Sequence, residues 1–316
     1  MASELERIPY KKLGFSTASA LTELWAPGHR LAELSLLRKG KRNSNYRIRL
    51  EHSSHPYVLR IYADPNHGAK NEYGIHTRLR GVVPMPELLF SGTLPEIFPY
   101  SYAIFEFVQG RTLDEQLESG LQTPDALFEE IGENLARVHE IKYPEVAFLD
   151  EHLNLAQKLP PLDTWYDLFL SKRTRRRLGA ERSDQVIAYV KQNAHLMQQL
   201  EREIGLVHGD FRPENLVIRA NKLVAIIDWE FAMAGHLSSD LGQFIRKERW
   251  ASQTIECSFI RGYQRGRHTE LPSNWRTLAR FRDLANLLQL MDTEEERPRQ
   301  FAHLTTLIDR SLNSDE

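Results

Sequence analysis

Two periodicities divide the chain near Gly110. Before it, apolar residues recur in short runs with the character of strands. LAELSLL and NYRIRLE flank the polar, basic segment RKGKRNS, which reads as a hairpin with its loop at Gly40 to Ser44. YVLRIY, Tyr57 to Tyr62, is a third run, rich in β-branched and aromatic residues. A turn follows at Asp64-Pro65, and residues 69–79 have helical character. LLFSG and SYAIFEFV supply two more strands. Three strands, a helix and two strands predict a small antiparallel sheet with one helix against it. Residues 1 to about 33 read as an N-terminal extension with some helix.

From Thr112 onward the pattern is mostly helical. Leu127, Ile131, Leu135, Val138 and Ile141 fall three and four apart, one amphipathic face. Pro160-Pro161 breaks the chain before a helical pair near 162–176 and 183–204. Further helices are expected at 238–247, 252–265, 274–291 and 298–312. Two β-branched runs, LVIR (216–219) and LVAIID (223–228), interrupt this half, with a hairpin turn expected at Asn221-Lys222. The fold class is therefore α+β. Residues 1–109 form the extension and the sheet unit, and 110–316 form a larger helical unit.

Composition narrows the class without naming a reaction. Of 316 residues, 41% are hydrophobic and 27% charged, as in ordinary globular proteins. A net charge of -2 gives no reason to expect nucleic acid as a partner. The single cysteine, Cys257, rules out a disulfide within one chain and fits a reducing compartment. The N-terminal MASELERIPYKKLGF carries acids and no long apolar run, so no signal peptide is expected. No stretch approaches a membrane span, and a cytoplasmic location is expected. Nothing in the pattern specifies an oligomeric state.

The chemistry concentrates in LVHGDFRPENLVIRANKLVAIIDWE, Leu206 to Glu230. Asp210 stands five residues before Asn215, and Asp228 thirteen after it. Phosphoryl transfer asks a protein for a carboxylate to orient the attacking hydroxyl, oxygen ligands for Mg2+, and cations for the transferring group. Asp210 can be the base. Asn215 and Asp228 are hard oxygen ligands of the kind Mg2+ selects. Arg212 can meet the γ-phosphate as a cation. His208, just before the loop, reads as a buried scaffold rather than a proton carrier.

HGDFRPEN followed by IDWE resembles the catalytic loop and metal segment of the aminoglycoside phosphotransferase and choline kinase family. The resemblance implies a bilobal protein-kinase-like fold and an ATP or GTP co-substrate. It also implies Asp210 as base, with Asn215 and Asp228 as magnesium ligands. By the same resemblance Arg60 of YVLRIY stands where a lysine usually meets the α- and β-phosphates. Glu72 on the next helix would pair with it. Guanidinium is planar and grips two oxygens, so this grip must differ from that of lysine. The phosphate-covering loop falls at Gly40 to Asn45, where Ser44, Asn45 and nearby amides would cradle phosphate, with positive potential from Lys41 and Arg42. IFEFVQG resembles the hinge between lobes, which sets the Glu106 carbonyl and the Val108 amide against the purine.

Protein kinases share the Asp-x-x-x-x-Asn loop, but here Gly209 stands where they carry an arginine. Eleven residues separate Asp228 from Asp240, too few for a peptide-docking loop, and no Ala-Pro-Glu follows. Asp240 is expected to brace the catalytic loop. The expected acceptor is a small-molecule hydroxyl, aminoglycoside-like by family name. A metabolite such as choline, homoserine or a sugar is the alternative. Glu230 and Asp283 are candidate acceptor contacts, as are Asp292 and Glu294 to Glu296. The basic run KRTRRRLGAER, Lys172 to Arg182, would suit an anionic acceptor. A pseudokinase binding module is the rival from another class; it predicts a lost base or metal ligand, and all three are present.

Overall fold

The computed structural model describes residues 11–37, 43–63, 68–246 and 252–313. The first half is a five-stranded antiparallel sheet in the order β1-β2-β3-β5-β4. Its strands are β1 (Leu31–Leu37), β2 (Ser44–Leu50), β3 (Pro56–Ile61), β4 (Leu88–Leu94) and β5 (Phe98–Glu106). They fall where the apolar runs predict them. The expected loop residues Gly40, Lys41 and Arg42 and the turn at Asp64-Pro65 lie outside the described residues.

Two helices, not one, cover this sheet. Helix α1 (Phe15–Trp25), inside the expected extension, packs Ala18 and Leu21 against Tyr46, Ile48, Leu59 and Tyr102. Helix α2 (Gly68–Leu79) lies on the opposite face, where Tyr62, Ala103 and Phe105 cluster. Strand side chains alternate between faces, so these two sets come from alternate positions. The parity has a direct consequence for the site. Asn45 is the cross-strand partner of Arg60, so both side chains share the α2 face. Ser44 points the other way.

The second half begins with β6 (Arg111–Thr112), α3 (Leu113–Glu118) and α4 (Asp125–His139). A short hairpin, β7 (Ala147–Leu149) and β8 (Leu155–Lys158), precedes four helices. These are α5 (Leu162–Phe169), α6 (Lys172–Leu178), α7 (Ala180–Gln192) and α8 (His195–Leu200). The pattern predicts two helices here. The first breaks because the Ser171 hydroxyl accepts the Arg173 and Thr174 amides and starts a new helix.

Next come β9 (Ile204–Val207), β10 (Leu216–Arg219), β11 (Lys222–Ile226) and β12 (Met233–His236). Helices α9 (Ser238–Phe244), α10 (Gln253–Arg267), α11 (Trp275–Met291) and α12 (Pro298–Leu312) close the chain. Helices α4 and α10 share one core through Ile131, Leu135, Phe259 and Tyr263. The β10–β11 turn sits at Ala220 and Asn221, both with positive φ, one residue earlier than predicted. Two successive residues at positive φ match the twist of a two-residue hairpin.

A small sheet in the order β8-β7-β12-β9 had no sequence expectation. Strands of three or four residues are too short to show a period. Its β9–β12 pair runs Val207 beside Met233 and Ile204 beside His236. This pairing delivers His208 at the end of one strand and α9 just after the other.

Candidate active site

The catalytic segment is held by its backbone. Asp240, fully buried on α9, accepts the His208 amide at 2.7 Å and the Gly209 amide at 3.0 Å. It also meets His139 Nε2 at 3.2 Å, and His139 Nδ1 lies 2.7 Å from the Tyr263 hydroxyl. Asp240 therefore occupies the bracing place expected of it. Gln243, one turn further along α9, accepts the Phe211 amide and donates to the Gly209 carbonyl, each at 2.7 Å. Sequence reasoning passed over Gln243; its spacing of three from Asp240 on a helix was the available signal. Gly209 has φ 79°, and a Cβ there would lie 2.3 Å from the Phe231 carbonyl oxygen. No other residue fits that turn.

His208 is fully buried against the Trp229 ring. Its Nε2 lies 3.0 Å from the Ile227 carbonyl, and its Nδ1 accepts the Asp210 amide at 3.2 Å. A carbonyl only accepts, so the hydrogen sits on Nε2. Both nitrogens are then spent on scaffolding.

Asp210 faces two donors. Arg212 grips it with Nε on Oδ1 at 2.6 Å and Nη2 on Oδ2 at 2.9 Å. Asn215 Nδ2 donates to the Asp210 carbonyl at 2.8 Å and to Oδ2 at 3.0 Å. Burial alone would raise the Asp210 carboxyl, but the Arg212 guanidinium outweighs it and holds the group at about 2. Asp210 is thus ionised at neutral pH. Arg212, expected to reach for phosphate, lies on the carboxylate instead.

Arg60 joins the two halves. It pairs with Glu72 on α2 at 2.5 Å and also bonds Asp228, 168 residues away in sequence. The Tyr62 hydroxyl donates to the other Glu72 oxygen. Burial opposes the Arg60 charge, and Asp228 and Glu72 more than restore it. Asp228 has left-handed backbone, φ 70° and ψ 54°, which turns its carboxylate toward Arg60. Asn71 on α2 donates to the Ala232 carbonyl at 2.7 Å and ties the helix to the segment after Asp228.

One turn after Glu72, His76 packs on Phe105. Burial, helped by Arg60, lowers its pKa from 6.5 to about 4. The folded chain therefore refuses a proton that the unfolded chain accepts below 6.5. Stability from this group is present above pH 6.5 and declines as pH falls toward 4, by about 3 kcal/mol in all. Urea midpoints between pH 7 and 4.5 should fall less steeply for His76→Gln than for the native chain. Equal slopes would remove His76 from the account.

Several expected residues stand elsewhere. Ser44 is buried on the α1 face, and its hydroxyl accepts the Lys11 amide at 2.8 Å. It therefore faces away from Arg60, and Asn45 alone of that pair shares a face with it. Glu106 ends β5, its amide on the Glu87 carbonyl at 2.9 Å, and Val108 follows in a partly buried stretch. Glu230, in the turn after Asp228, acts electrostatically on Arg60 and Tyr62. That puts it on the Arg60 side of the site, two residues after Asp228.

Asp283 is buried and gripped by Arg246, Nε to Oδ2 at 2.7 Å and Nη2 to Oδ1 at 2.8 Å. It is no open carboxylate for an amine. The basic run and the acidic run also meet each other. Arg173 pairs with Asp292 and Glu294, and Arg176 and Arg177 pair with Glu296. Arg177 further donates to the Met291 and Thr293 carbonyls, at 2.6 and 2.7 Å. The two patches tie α6 to the α11–α12 connection and largely cancel.

Asn215 and Asp228 suit a magnesium ion. The Asn215 amide nitrogen is spent on Asp210, which leaves its oxygen for a cation, and the Asp228 side chain is 30% exposed. One carboxylate, one amide oxygen and phosphate oxygens are an ordinary Mg2+ set.

Comparison with known proteins follows the same lines. The profile described as the phosphotransferase enzyme family matches residues 33–303. Acyl-CoA dehydrogenase family member 11 of Pongo abelii is 26% identical over 230 residues, 68% of this chain and 28% of its own length. The Rattus norvegicus protein of that name is 24% identical over 251 residues, 75% of this chain and 31% of its own length. The chain thus spans under a third of these relatives. Among solved structures, aminoglycoside phosphotransferase APH(4)-Ia aligns with a TM-score of 0.68 at 16% identity, covering 96% of this chain and 100% of that one. Its ternary complex with AMP-PNP and hygromycin B gives 0.67 at 18%, covering 95% and 99%. Spectinomycin phosphotransferase APH(9)-Ia, with ADP and spectinomycin, gives 0.60 at 13%, covering 94% and 97%. At these identities the likeness is one of fold.

Proposed function

The chain belongs to the phosphotransferase enzyme family, and from that premise we propose that it moves the γ-phosphate of ATP or GTP to a hydroxyl of a small molecule, with Asp210 as the base. The observations that carry this are two contacts, Asn215 on Asp210 and Arg60 on Asp228 across the two halves, brought beside each other by the Ile227 amide on the Asn215 carbonyl at 2.9 Å. Asp210 orients the hydroxyl. Its oxygen attacks the γ-phosphorus, the bond to the bridging β–γ oxygen breaks, and the proton passes to Asp210. A base at about 2 takes that proton only as transfer nears completion, so orientation is its larger contribution. Mg2+ at Asn215 and Asp228 would neutralise phosphate charge. Arg60 and Asn45 face the phosphates, and the Glu106 carbonyl and Val108 amide meet the purine. The unit boundary is placed at 109/110.

The acceptor is proposed to be neutral or anionic. A polycation such as an aminoglycoside wants unpaired acids, and the C-terminal carboxylates at 283, 292, 294 and 296 are already matched with arginine. Sugars and hydroxy acids fit better than choline. The relatives' name favours one further reading, a hydroxylated acyl thioester.

The deciding experiment is a transfer screen with ATP and GTP, with and without Mg2+. Aminoglycosides, amino alcohols, sugars and hydroxyacyl-CoA esters are the acceptors to compare. Mg2+-dependent transfer to a neutral or anionic acceptor is expected. Preference for aminoglycosides would overturn the acceptor class. Transfer to nothing, with no Mg2+-dependent nucleotide binding, would favour a binding module.

A further inference from the structure

Helix α9 is only seven residues long, too short to hold its own pose in water. Yet two of its side chains, Asp240 and Gln243, fix the backbone of the catalytic loop. Phe244 stacks on Phe259 of α10, and α11 packs closest along the helix. Gly242 lies so close that a Cβ would sit 2.3 Å from the Ala279 carbonyl oxygen and 2.8 Å from Asp283 Cβ. Just past the helix, Arg246 grips Asp283 through two parallel bonds, both side chains buried. Asn286, one turn along α11, donates to the Ser239 hydroxyl at 3.2 Å and to Asp283 Oδ1 at 3.3 Å. Polar ties thus bind both ends of α9 to one stretch of α11.

Such ties are a poor source of stability. Apolar residues of similar volume often hold a buried interface as well or better than an ion pair. A bidentate pair does supply direction, because two parallel bonds permit one relative orientation. We propose that the Arg246–Asp283 pair is a positioning device for the catalytic loop. It fixes the rotation and axial position of α9 on α11. That sets Gln243 against Gly209 and Phe211, and so the aim of Asp210. The proposal rests on Asp210 being the base. It gives Asp283 a task other than binding acceptor.

The test uses the full chain and the double variant Arg246→Met/Asp283→Leu, which removes both partners together and leaves the neighbouring buried Arg282 its bonds to His236 and Asn286. Acceptor-free, Mg2+-dependent ATP hydrolysis and amide hydrogen exchange at Gly209 and Phe211 are measured beside thermal unfolding. The melting point is expected to equal or exceed that of the native chain. The hydrolysis kcat should fall on the order of 10- to 100-fold, with the KM for ATP within about twofold. Exchange at both amides should speed up by about tenfold or more. Native kcat with native amide protection overturns the proposal, as does a loss of kcat with protection unchanged. If the double variant does not fold, Arg246→Lys keeps the charge but loses the fork and is expected to show the same kcat and KM split. Native behaviour of that variant overturns the proposal too. If the native chain hydrolyses no ATP and transfers phosphate to no acceptor, the assignment of the base is what fails, and amide exchange still decides whether the pair positions the loop.

Discussion

Asp210→Asn is expected to lower phosphoryl transfer by about 100- to 10,000-fold at saturating nucleotide, with the KM for ATP little changed. The substitution keeps the size of the side chain and removes its charge and its capacity to take a proton. It also sets an amide group among donors. Arg212 Nε and Nη2 and Asn215 Nδ2 all point at the present carboxylate. An asparagine oxygen can satisfy one side of that group, and its own NH2 must face the other. The loop itself should stay in place, because Asp240 and Gln243 hold it through the amides of His208, Gly209 and Phe211. The stability should still fall by about 2 kcal/mol at neutral pH, because a carboxylate held at about 2 contributes that much. Steady-state kinetics beside thermal unfolding check both parts. A kcat within tenfold of the native value would remove Asp210 from the role of base.

Asp240→Ala is expected to cost about 4 kcal/mol of stability, and with it most of the activity. The carboxylate accepts two backbone amides and faces His139 Nε2, and it is fully buried. Truncation leaves those donors without acceptors where water does not reach. Each orphaned donor costs about 1–3 kcal/mol. Burial lowers the His139 pKa despite the neighbouring carboxylate, so the ring is a neutral donor. Its hydrogen bond is then lost without relief of charge. Asp240→Asn keeps one acceptor and should fall between the native chain and Asp240→Ala. Urea unfolding followed by tryptophan fluorescence gives the comparison, since Trp229 packs on His208 beside this site. A loss under about 1 kcal/mol for the alanine variant would mean that the brace is dispensable.

The two substitutions separate aim from support. Asp210 is the proposed base, and the loop backbone around it is held by other residues. Asp240 is fully buried away from any acceptor, yet the backbone just before Asp210 hangs on it.

Some of the site could be read further in the sequence than it was. Ser44 and Asn45 are adjacent on a strand, so only one of them can face Arg60. Strand parity selects Asn45 once the pairing with Arg60 is known. The carboxylates of the last helices could not be read in that way. Asp283 is one acid among interleaved arginines, and only the packing of α9 on α11 brings Arg246 to it. The basic run of α6 and the acids at 292–296 each suggested an acceptor surface. They lie more than a hundred residues apart and neutralise each other in space.

By itself, the sequence determined the order of the main elements and the residues that the proposed chemistry needs. Strand and helix periods are local, set by which backbone positions point inward, and they placed the main strands and most helices within a few residues. The spacing of Asp210, Asn215 and Asp228 is also local, since one loop and one hairpin span it. Tertiary structure decided which charges remain available. Arg60 reaches Asp228 across 168 residues, and that contact depends on how the two halves close, which no local period encodes. Whether a charge faces the site or is spent elsewhere, as Asp283 is on Arg246, is decided by packing.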